Sequence, residues 1–155
     1  MIKILVCEDD KDLNRFVTSS LRNMGYDITS CFDGEEGLEA TERVRFDMIL
    51  TDIMMPKTDG FELAKEIRSF DKDVPIIFMT AKDDKPSKMF GYSIGIDDYV
   101  TKPFDMDVLL LKINAVLSRA RVESEKQIKI GNFVINAEER TATADGEEIP
   151  LTVRE

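Results

Sequence analysis

The chain has 155 residues, of which 43% are hydrophobic and 34% are charged. Because domains cluster near ~100–150 residues, this length predicts one full domain with a short appendage. It contains no histidine, which excludes an imidazole of this chain as nucleophile, base or metal ligand. The net charge of −10 argues against direct binding to nucleic-acid phosphates.

Short apolar runs alternate with segments of helical periodicity over the first 120 residues. The first strand, at 2–6, precedes a helix that ends at Gly25 and whose core stripe we predict to be Leu13, Phe16, Val17 and Leu21. The later elements are predicted in this order: strand 26–32, helix 35–44, strand 48–51, helix 61–70, strand 74–80, helix 85–94, strand 99–101 and helix 105–120. Five strand–helix units predict an α/β, doubly wound (βα)5 fold with a parallel sheet that helices cover on both faces.

Residues 121–155 do not continue this alternation of apolar strands and helices. Residues 121–127 are polar and lack an apolar stripe, so we predict a linker between a domain at 1–120 and a fragment at 128–155. Brief strand-like runs with turns at Gly131-Asn132 and Asp145-Gly146 predict that the fragment is an antiparallel β meander. A meander of this length falls below the ~40 residues at which domains stand alone, so it needs support from another surface.

The two cysteines, Cys7 and Cys31, are too few and too far apart in sequence for a disulfide scaffold or a zinc site. We expect them to be buried free thiols in a reducing compartment. No apolar run approaches the ~18 residues of a membrane span, and residues 1–6 are too short for a signal peptide. The sequence therefore predicts a cytoplasmic protein without membrane contact.

Charged and polar residues lie where the predicted strands end. Glu8-Asp9-Asp10 follows the first strand, Asp52 the third and Lys102 the fifth, and Thr80 closes the fourth. Each alone has an ordinary explanation, as a helix cap, a strand end or a solvated lysine. Together they are informative, because ligand sites in doubly wound sheets form beyond the carboxyl ends of the strands.

Clustered carboxylates repel one another unless a cation compensates their charge. Mg²⁺ prefers oxygen ligands and typically takes one or two carboxylates together with phosphate oxygens, which suits Glu8, Asp9 and Asp52. Lys102 would add a second positive charge, and phosphoryl transfer depends on such positioning and charge stabilisation. An ionised aspartate can serve as the nucleophile and become an acyl phosphate. We therefore predict a phosphoryl-transfer site that uses Mg²⁺ or Mn²⁺.

Four segments, 3–10 (KILVCEDD), 48–60 (MILTDIMMPKTDG), 75–81 (PIIFMTA) and 95–104 (GIDDYVTKPF), closely resemble the receiver domains of two-component response regulators. The resemblance covers residues 1 to about 120. It implies a five-stranded parallel sheet of order 2-1-3-4-5 and an Asp52 that accepts a phosphoryl group from a sensor histidine kinase. Such a domain catalyses only its own phosphorylation and dephosphorylation, so we do not expect an enzyme with an external substrate.

The resemblance also implies roles for individual residues. The metal ligands would be Glu8, Asp9, Asp52 and the backbone carbonyl of Met54. The phosphoryl group would contact Lys102, Thr80 and Ala81, and Tyr99 would change rotamer to carry the switch to the surface. The Lys102–Pro103 bond is expected to be cis. Met54 and Lys82 flank the approach of hydrolytic water and neither orients water well, so we expect a long-lived phosphoryl-aspartate.

The helix at 105–120 has more apolar residues than one core stripe needs, which indicates either a broad core face or a partner. With nearby charged residues it resembles the homodimer face formed by the fourth helix, fifth strand and fifth helix of receivers attached to winged-helix domains. Val108 stands where that subfamily usually has a glutamate, so we expect no intermolecular ion pair with Lys88. The residues assigned to this face are Lys88, Asp97, Asp98, Val108, Lys112 and Arg119.

The tail at 128–155 resembles the start of an OmpR/PhoB-type winged-helix domain. In that family the recognition helix lies further downstream. We therefore expect promoter binding by a longer parent protein and not by this fragment. Two other readings remain: an Mg²⁺-dependent phosphatase with an aspartyl nucleophile, and a receiver that acts only by docking to proteins. Met54 disfavours the phosphatase, because such enzymes commonly carry an aspartate as general acid two positions after the nucleophile.

Overall fold

The computed structural model describes residues 1–81 and 84–120. The predicted linker at 121–127, the predicted meander at 128–155 and Lys82 lie outside the described residues. In chain order the elements are β1 (Lys3–Cys7), α1 (Lys11–Asn23), β2 (Asp27–Cys31), α2 (Gly34–Arg43), β3 (Met48–Thr51), α3 (Gly60–Phe70), β4 (Ile76–Thr80), α4 (Lys85–Ile94), β5 (Asp98–Thr101) and α5 (106–120).

The five strands form one parallel sheet of order β2-β1-β3-β4-β5, which confirms the predicted fold class and strand order. Order reverses next to β1, because β1 lies between β2 and β3. In such sheets the ligand site forms outside the carboxyl ends of the strands near this reversal. A ligand site is therefore expected at the carboxyl ends of β1 and β3.

Helices cover both faces of the sheet. One buried cluster packs Leu63 and Ile67 of α3 against Ile49 and Phe78, and the other packs Val17 of α1 together with Leu109, Ile113 and Val116 of α5 against the opposite face. Strands buried on both faces are nearly continuous in apolar residues, as β1, β3 and β4 are. Both cysteines are buried free thiols, as predicted.

Aspartates begin four of the helices by accepting backbone N–H groups of the first turn. Asp10 caps α1 in this way, and Asp33, Asp59 and Asp84 cap α2, α3 and α4. A side-chain acceptor at this position satisfies N–H groups that have no partner within the helix. Asp10 is therefore a cap, which separates it from the two acidic residues before it.

One prediction about the core is wrong. Phe16 was assigned to the buried stripe of α1, but its side chain is 53% exposed. The buried residues of α1 are Asn14, Val17, Thr18 and Leu21, which recur at helical spacing. Phe16 lies about 100° around the helix from Val17, outside the buried stripe. Two polar residues, Asn14 and Thr18, occupy the stripe instead, and Leu13 is partly buried beside it.

Candidate functional site

The carboxylates that the sequence singled out meet at the ends of β1 and β3. Oxygens of Glu8, Asp9 and Asp52 all lie within 4.8 Å of one another. The backbone N–H of Asp52 donates to the carbonyl of Cys7 at 3.0 Å, which continues the pairing of the two strands into the site. Glu8 is fully buried and Asp52 is 5% exposed, whereas Asp9 is open to solvent. The pocket thus has a buried floor and an accessible rim.

Lys102 brings a positive charge into this cluster. Its Nζ donates to Glu8 Oε1 at 2.7 Å and to Asp52 Oδ2 at 2.8 Å. The side chain comes from the residue after β5 and is 20% exposed, so the two ion pairs are largely shielded from water. The Lys102–Pro103 bond is cis, as predicted.

Burial and neighbouring hydrogen bonds have opposite effects on the pKa values of Glu8 and Lys102. Burial raises the pKa of Glu8 above its ordinary value, although hydrogen bonds from Lys102 and from the Asp10 amide oppose this shift. Burial alone would lower the pKa of Lys102, but its hydrogen bonds to Asp52 and Glu8 raise the pKa overall. The lysine is therefore charged at neutral pH, where it compensates two of the carboxylates.

The loop after β3 folds back on Asp52. The backbone N–H of Met54 donates to Asp52 Oδ1 at 3.3 Å, and the Met54 side chain is 61% exposed. At the other end of this loop, a Cβ on Gly60 would lie 2.2 Å from the backbone oxygen of Asp52. Only glycine permits this close approach. The start of α3 therefore packs against the backbone of Asp52.

The remaining predicted phosphoryl contacts lie at the end of β4. Thr80 is fully buried and is paired in register with Thr101, and its carbonyl accepts the backbone N–H of Lys102 at 2.8 Å. Ala81 follows it and is exposed. The structure therefore places Thr80 and Ala81 at the same edge of the sheet as the carboxylates and Lys102, as the sequence predicted.

The donor set fits a hard divalent cation. Three carboxylates face one ammonium group, so the cluster keeps an excess of negative charge and offers oxygen ligands only. Mg²⁺ prefers such ligands and is usually held by one or two carboxylates. An acidic pocket with the capacity for a divalent metal is thus present at the carboxyl edge of the sheet.

Tyr99, the predicted switch residue, points into the protein. Its ring is 4% exposed and packs edge-on against Phe78 and Tyr92, with centroid distances of 5.5 and 5.3 Å. Its hydroxyl donates to the carbonyl of Ser87 in α4 at 2.7 Å. Burial, together with the charge of nearby groups, raises the pKa of Tyr99 to about 12. A Cβ on Gly91 would lie 2.2 Å from the hydroxyl, so this glycine provides the space for the inward ring.

The residues assigned to a dimer face fall into two groups. Lys88, Asp98, Val108 and Lys112 line one groove of about 490 Å³ between α4, β5 and α5. Within it, Lys112 Nζ lies 3.4 Å from Asp98 Oδ1.

Asp97 is engaged elsewhere. Its Oδ2 accepts the backbone N–H of Ile76 at 2.8 Å and lies 3.5 Å from the guanidinium of Arg68. Arg119 is exposed near the end of the described helix. Asp97 thus anchors the start of β4, a role that the sequence did not indicate.

Three residues beside the site were missed at the level of sequence. Ser87 and Gly91 contact the hydroxyl position of Tyr99, and Asn14 contacts the backbone of Glu8. The available signal for Asn14 was its spacing, because it stands three and seven residues before the core residues Val17 and Leu21. A polar side chain on a buried stripe needs hydrogen-bond partners.

Comparison with known proteins agrees with this geometry. The family described as "Response regulator receiver domain" matches residues 4–114. The transcriptional regulatory protein RprY of Bacteroides fragilis is 39% identical over 99% of this chain and 66% of its own length. The transcriptional regulatory protein CiaR of Streptococcus pneumoniae is 38% identical over 100% of this chain and 69% of its own length. The chain therefore spans about two thirds of the length of these relatives.

Solved structures show the same fold. A Francisella response regulator 1452 receiver domain aligns with a TM-score of 0.72 and 37% identity over 77% of this chain and 98% of its own. A CheY-like receiver domain protein of Methanospirillum hungatei aligns with a TM-score of 0.77 and 27% identity over 79% of this chain and 98% of its own. With its five-stranded sheet and acidic pocket, the chain belongs to the two-component response regulators, of the OmpR family, and residues 4–114 are its receiver domain.

Proposed function

We propose that Asp52 accepts a phosphoryl group from the phosphohistidine of a sensor histidine kinase. A carboxylate oxygen of Asp52 attacks phosphorus, the P–N bond breaks, and the leaving imidazole takes up a proton. The observation that carries this proposal is Lys102 Nζ, held 2.8 Å from Asp52 Oδ2 within an all-oxygen cluster. Phosphoryl transfer needs little covalent chemistry from the protein beyond such positioning and charge.

The residues around Asp52 have separable tasks. Glu8, Asp9, Asp52 and the carbonyl of Met54 would hold Mg²⁺, or Mn²⁺ in its place. The bound ion would supply positive charge to the phosphoryl oxygens. Lys102 would supply a second positive charge beside Asp52, because its Nζ lies 2.8 Å from Asp52 Oδ2. Thr80 and Ala81 line the edge where the phosphoryl oxygens would project.

We propose that phosphorylation changes the association of the chain with a second copy of itself. Phosphorylation would move Thr80 and Tyr99, and thereby alter the groove between α4 and α5 that Tyr99 lines. We propose that the phosphorylated chain forms a homodimer through this α4–β5–α5 face and that the longer parent protein binds promoter DNA. The relatives RprY and CiaR are named transcriptional regulatory proteins, which supports this role for the parent.

We also propose that the protein works in the cytoplasm, for which its two buried free thiols are the supporting observation. Among the described residues, no helix has both the length and the apolar character that a membrane crossing requires.

On this proposal the chain catalyses only its own phosphorylation and dephosphorylation. A phosphatase with an aspartyl nucleophile would need a general acid two positions after Asp52. Met54 stands there, and its thioether has no proton to donate. A receiver that acts by docking alone would have no need of the charge arrangement of Glu8, Asp52 and Lys102.

The test is incubation of the chain with a small phosphodonor and Mg²⁺, followed by intact-mass measurement. We expect the wild type to gain the mass of one phosphoryl group, and chelation of Mg²⁺ to abolish the gain. Asp52→Asn should gain none under the same conditions. An unmodified wild type, or an undiminished gain in Asp52→Asn, would overturn the proposal.

A further inference from the structure

Asn14 is a buried polar residue of α1 whose side-chain hydrogen bonds reach the ends of β1 and β2 behind the acidic pocket. Its side chain is 2% exposed. The Nδ2 group donates to the backbone carbonyls of Glu8 and Cys31, each at 3.0 Å. Its Oδ1 accepts the hydroxyl of Ser30 at 2.6 Å. The amide thus uses both donor hydrogens and its oxygen within the protein.

These contacts extend the pairing of β1 and β2 beyond the last paired residues. The register of the two strands ends with Cys7 opposite Cys31. The next N–H, that of Glu8, donates to the carbonyl of Cys31 at 3.0 Å, and Asn14 donates to the same oxygen. The side chain of Asn14 therefore links the carboxyl ends of β1 and β2 through the carbonyls of Glu8 and Cys31.

The carbonyl of Glu8 belongs to the peptide unit that joins Glu8 to Asp9. Because a peptide unit is planar, the direction of this carbonyl determines the orientation of the Cα atoms on both sides. Asn14 holds that carbonyl from the side of α1, while the carboxylates of the same two residues take part in the acidic cluster. The orientation of both acidic side chains is therefore linked to one buried amide.

We infer that Asn14 is a positioning residue that holds the peptide between Glu8 and Asp9 and so orients both carboxylates toward a divalent cation. This inference rests on the proposed function, since it concerns the metal ligands of the phosphoacceptor site. The Asn14 amide donates to the backbone carbonyls of Glu8 and Cys31 and not to the carboxylate oxygens of the cluster. Groups that orient metal ligands from behind typically change metal affinity by about 10–100-fold when removed.

Asn14→Ala removes both donors and the acceptor and leaves the carbonyls of Glu8 and Cys31 without this partner. Thr18→Ala is the matched control, because Thr18 is also buried in α1, at 3% exposure, one turn further along. Its hydroxyl donates to the carbonyl of Arg15 within the same helix, at 3.2 Å. Both substitutions remove a buried polar group from one helix, and only the first touches the strand ends.

Two measurements on the full chain test the inference. Titration calorimetry with MgCl₂ should give an Mg²⁺ dissociation constant raised about tenfold or more in Asn14→Ala and unchanged in Thr18→Ala. In the metal-free protein, hydrogen exchange followed by NMR should be faster at the Glu8 amide in Asn14→Ala than in Thr18→Ala. Ser30→Ala removes only the hydroxyl that Asn14 accepts and should raise the Mg²⁺ dissociation constant about twofold to tenfold.

The outcomes separate this inference from the proposed function. Equal Mg²⁺ affinity in the wild type and Asn14→Ala, or an equal loss in Thr18→Ala, would overturn the role of Asn14 and leave the phosphoacceptor assignment intact. If Asn14→Ala does not fold, unchanged affinity in Ser30→Ala overturns it. A wild type that binds no Mg²⁺ would overturn both.

Discussion

The single positive charge of Lys102 lies between two buried carboxylates, so its removal should increase their mutual repulsion. We expect Lys102→Ala to lower the free energy of unfolding of the metal-free protein by about 3 kcal/mol, the lower end for breaking a buried ion pair. The lower end applies because the lysine side chain is 20% exposed. Added Mg²⁺ should recover more stability in the variant than in the wild type, since the ion supplies the missing charge. Urea unfolding with and without MgCl₂ measures both effects.

Lys112→Ala is the control for this prediction. Lys112 of α5 is also partly buried and pairs with Asp98 at 3.4 Å, but it lines the groove between α4, β5 and α5 and not the acidic pocket. Its loss should lower stability without any Mg²⁺-dependent recovery beyond that of the wild type. Identical responses of the two variants to Mg²⁺ would contradict the assignment of Lys102 to the site.

The raised pKa of Glu8 predicts how cation binding depends on pH. A carboxyl group with a raised pKa takes up its proton at a higher pH than usual, and the protonated form cannot serve as an anionic ligand. Mg²⁺ affinity should therefore fall as the pH is lowered, beginning above the ordinary glutamate pKa. Calorimetric titrations from neutral to mildly acidic pH would measure this loss, and Glu8→Gln should weaken its pH dependence. A wild type whose Mg²⁺ affinity stays constant until ordinary carboxylates protonate would contradict the prediction.

Some residues of the site could be predicted from the sequence and others could not. Asp52, Glu8, Asp9 and Lys102 were predicted to meet because each follows a strand of a parallel sheet, and the structure brings them together. Asn14 could not be recognised in this way, because its role depends on which carbonyls lie opposite α1.

Phe16 was misassigned for a related reason. A helical spacing of three or four residues fits more than one stripe, and only the packing of α1 against the sheet shows which stripe is buried.

At the scale of elements, α4 carries a glycine, Gly91, that provides the space for the inward ring of Tyr99. A methyl group at Gly91 would overlap the hydroxyl of Tyr99, at 2.2 Å, so Gly91→Ala should expel the ring and break its hydrogen bond to Ser87. We expect a loss of about 1–3 kcal/mol in the free energy of unfolding, as for other overpacked cores. The pKa of Tyr99 should fall from about 12 toward its ordinary range, which NMR titration of the ring would show.

Gly37→Ala serves as the control, because a Cβ there would lie 2.6 Å from Cys7 Sγ in the packing of α2. This variant introduces a comparable overlap away from α4. It should lower stability and leave the titration of Tyr99 unchanged. An inward Tyr99 with an unaltered pKa in Gly91→Ala would contradict the role of the glycine.

Element boundaries were predictable where turn chemistry marks them and less so elsewhere. α4 begins and ends as predicted, after the cap Asp84 and before Gly95, whose φ of 107° is accessible to glycine. β4 was predicted from residue 74 but begins at Ile76, because Pro75 has no N–H to donate to a neighbouring strand. Apolar character alone extended the prediction across Pro75, whose carbonyl accepts the Ile49 N–H at 2.9 Å but which has no N–H to donate in return.

At the scale of the whole molecule, the proposed homodimer depends on the groove between α4 and α5. Val108 lines this groove beside Lys88 and Lys112, so Val108→Lys would place a third ammonium group there and remove an apolar contact. We expect dimerisation of the phosphorylated chain to weaken about tenfold or more. Sedimentation velocity after treatment with a phosphodonor measures this.

Phe16→Lys makes the same chemical change at an exposed position of α1 and should leave the dimer unaffected. If Val108→Lys dimerises as the wild type does, the α4–β5–α5 face is not the interface.

We propose that Asp52 alone receives the phosphoryl group among several neighbouring carboxylates. Borohydride reduces an acyl phosphate of aspartate to homoserine, which peptide sequencing by mass spectrometry locates in the chain. After treatment with a phosphodonor and Mg²⁺, we predict homoserine at position 52 and unchanged residues at Glu8, Asp9 and Asp10. A reduction product at Asp9 or Asp10, or an unmodified Asp52, would show that Asp52 is not the phosphoryl acceptor.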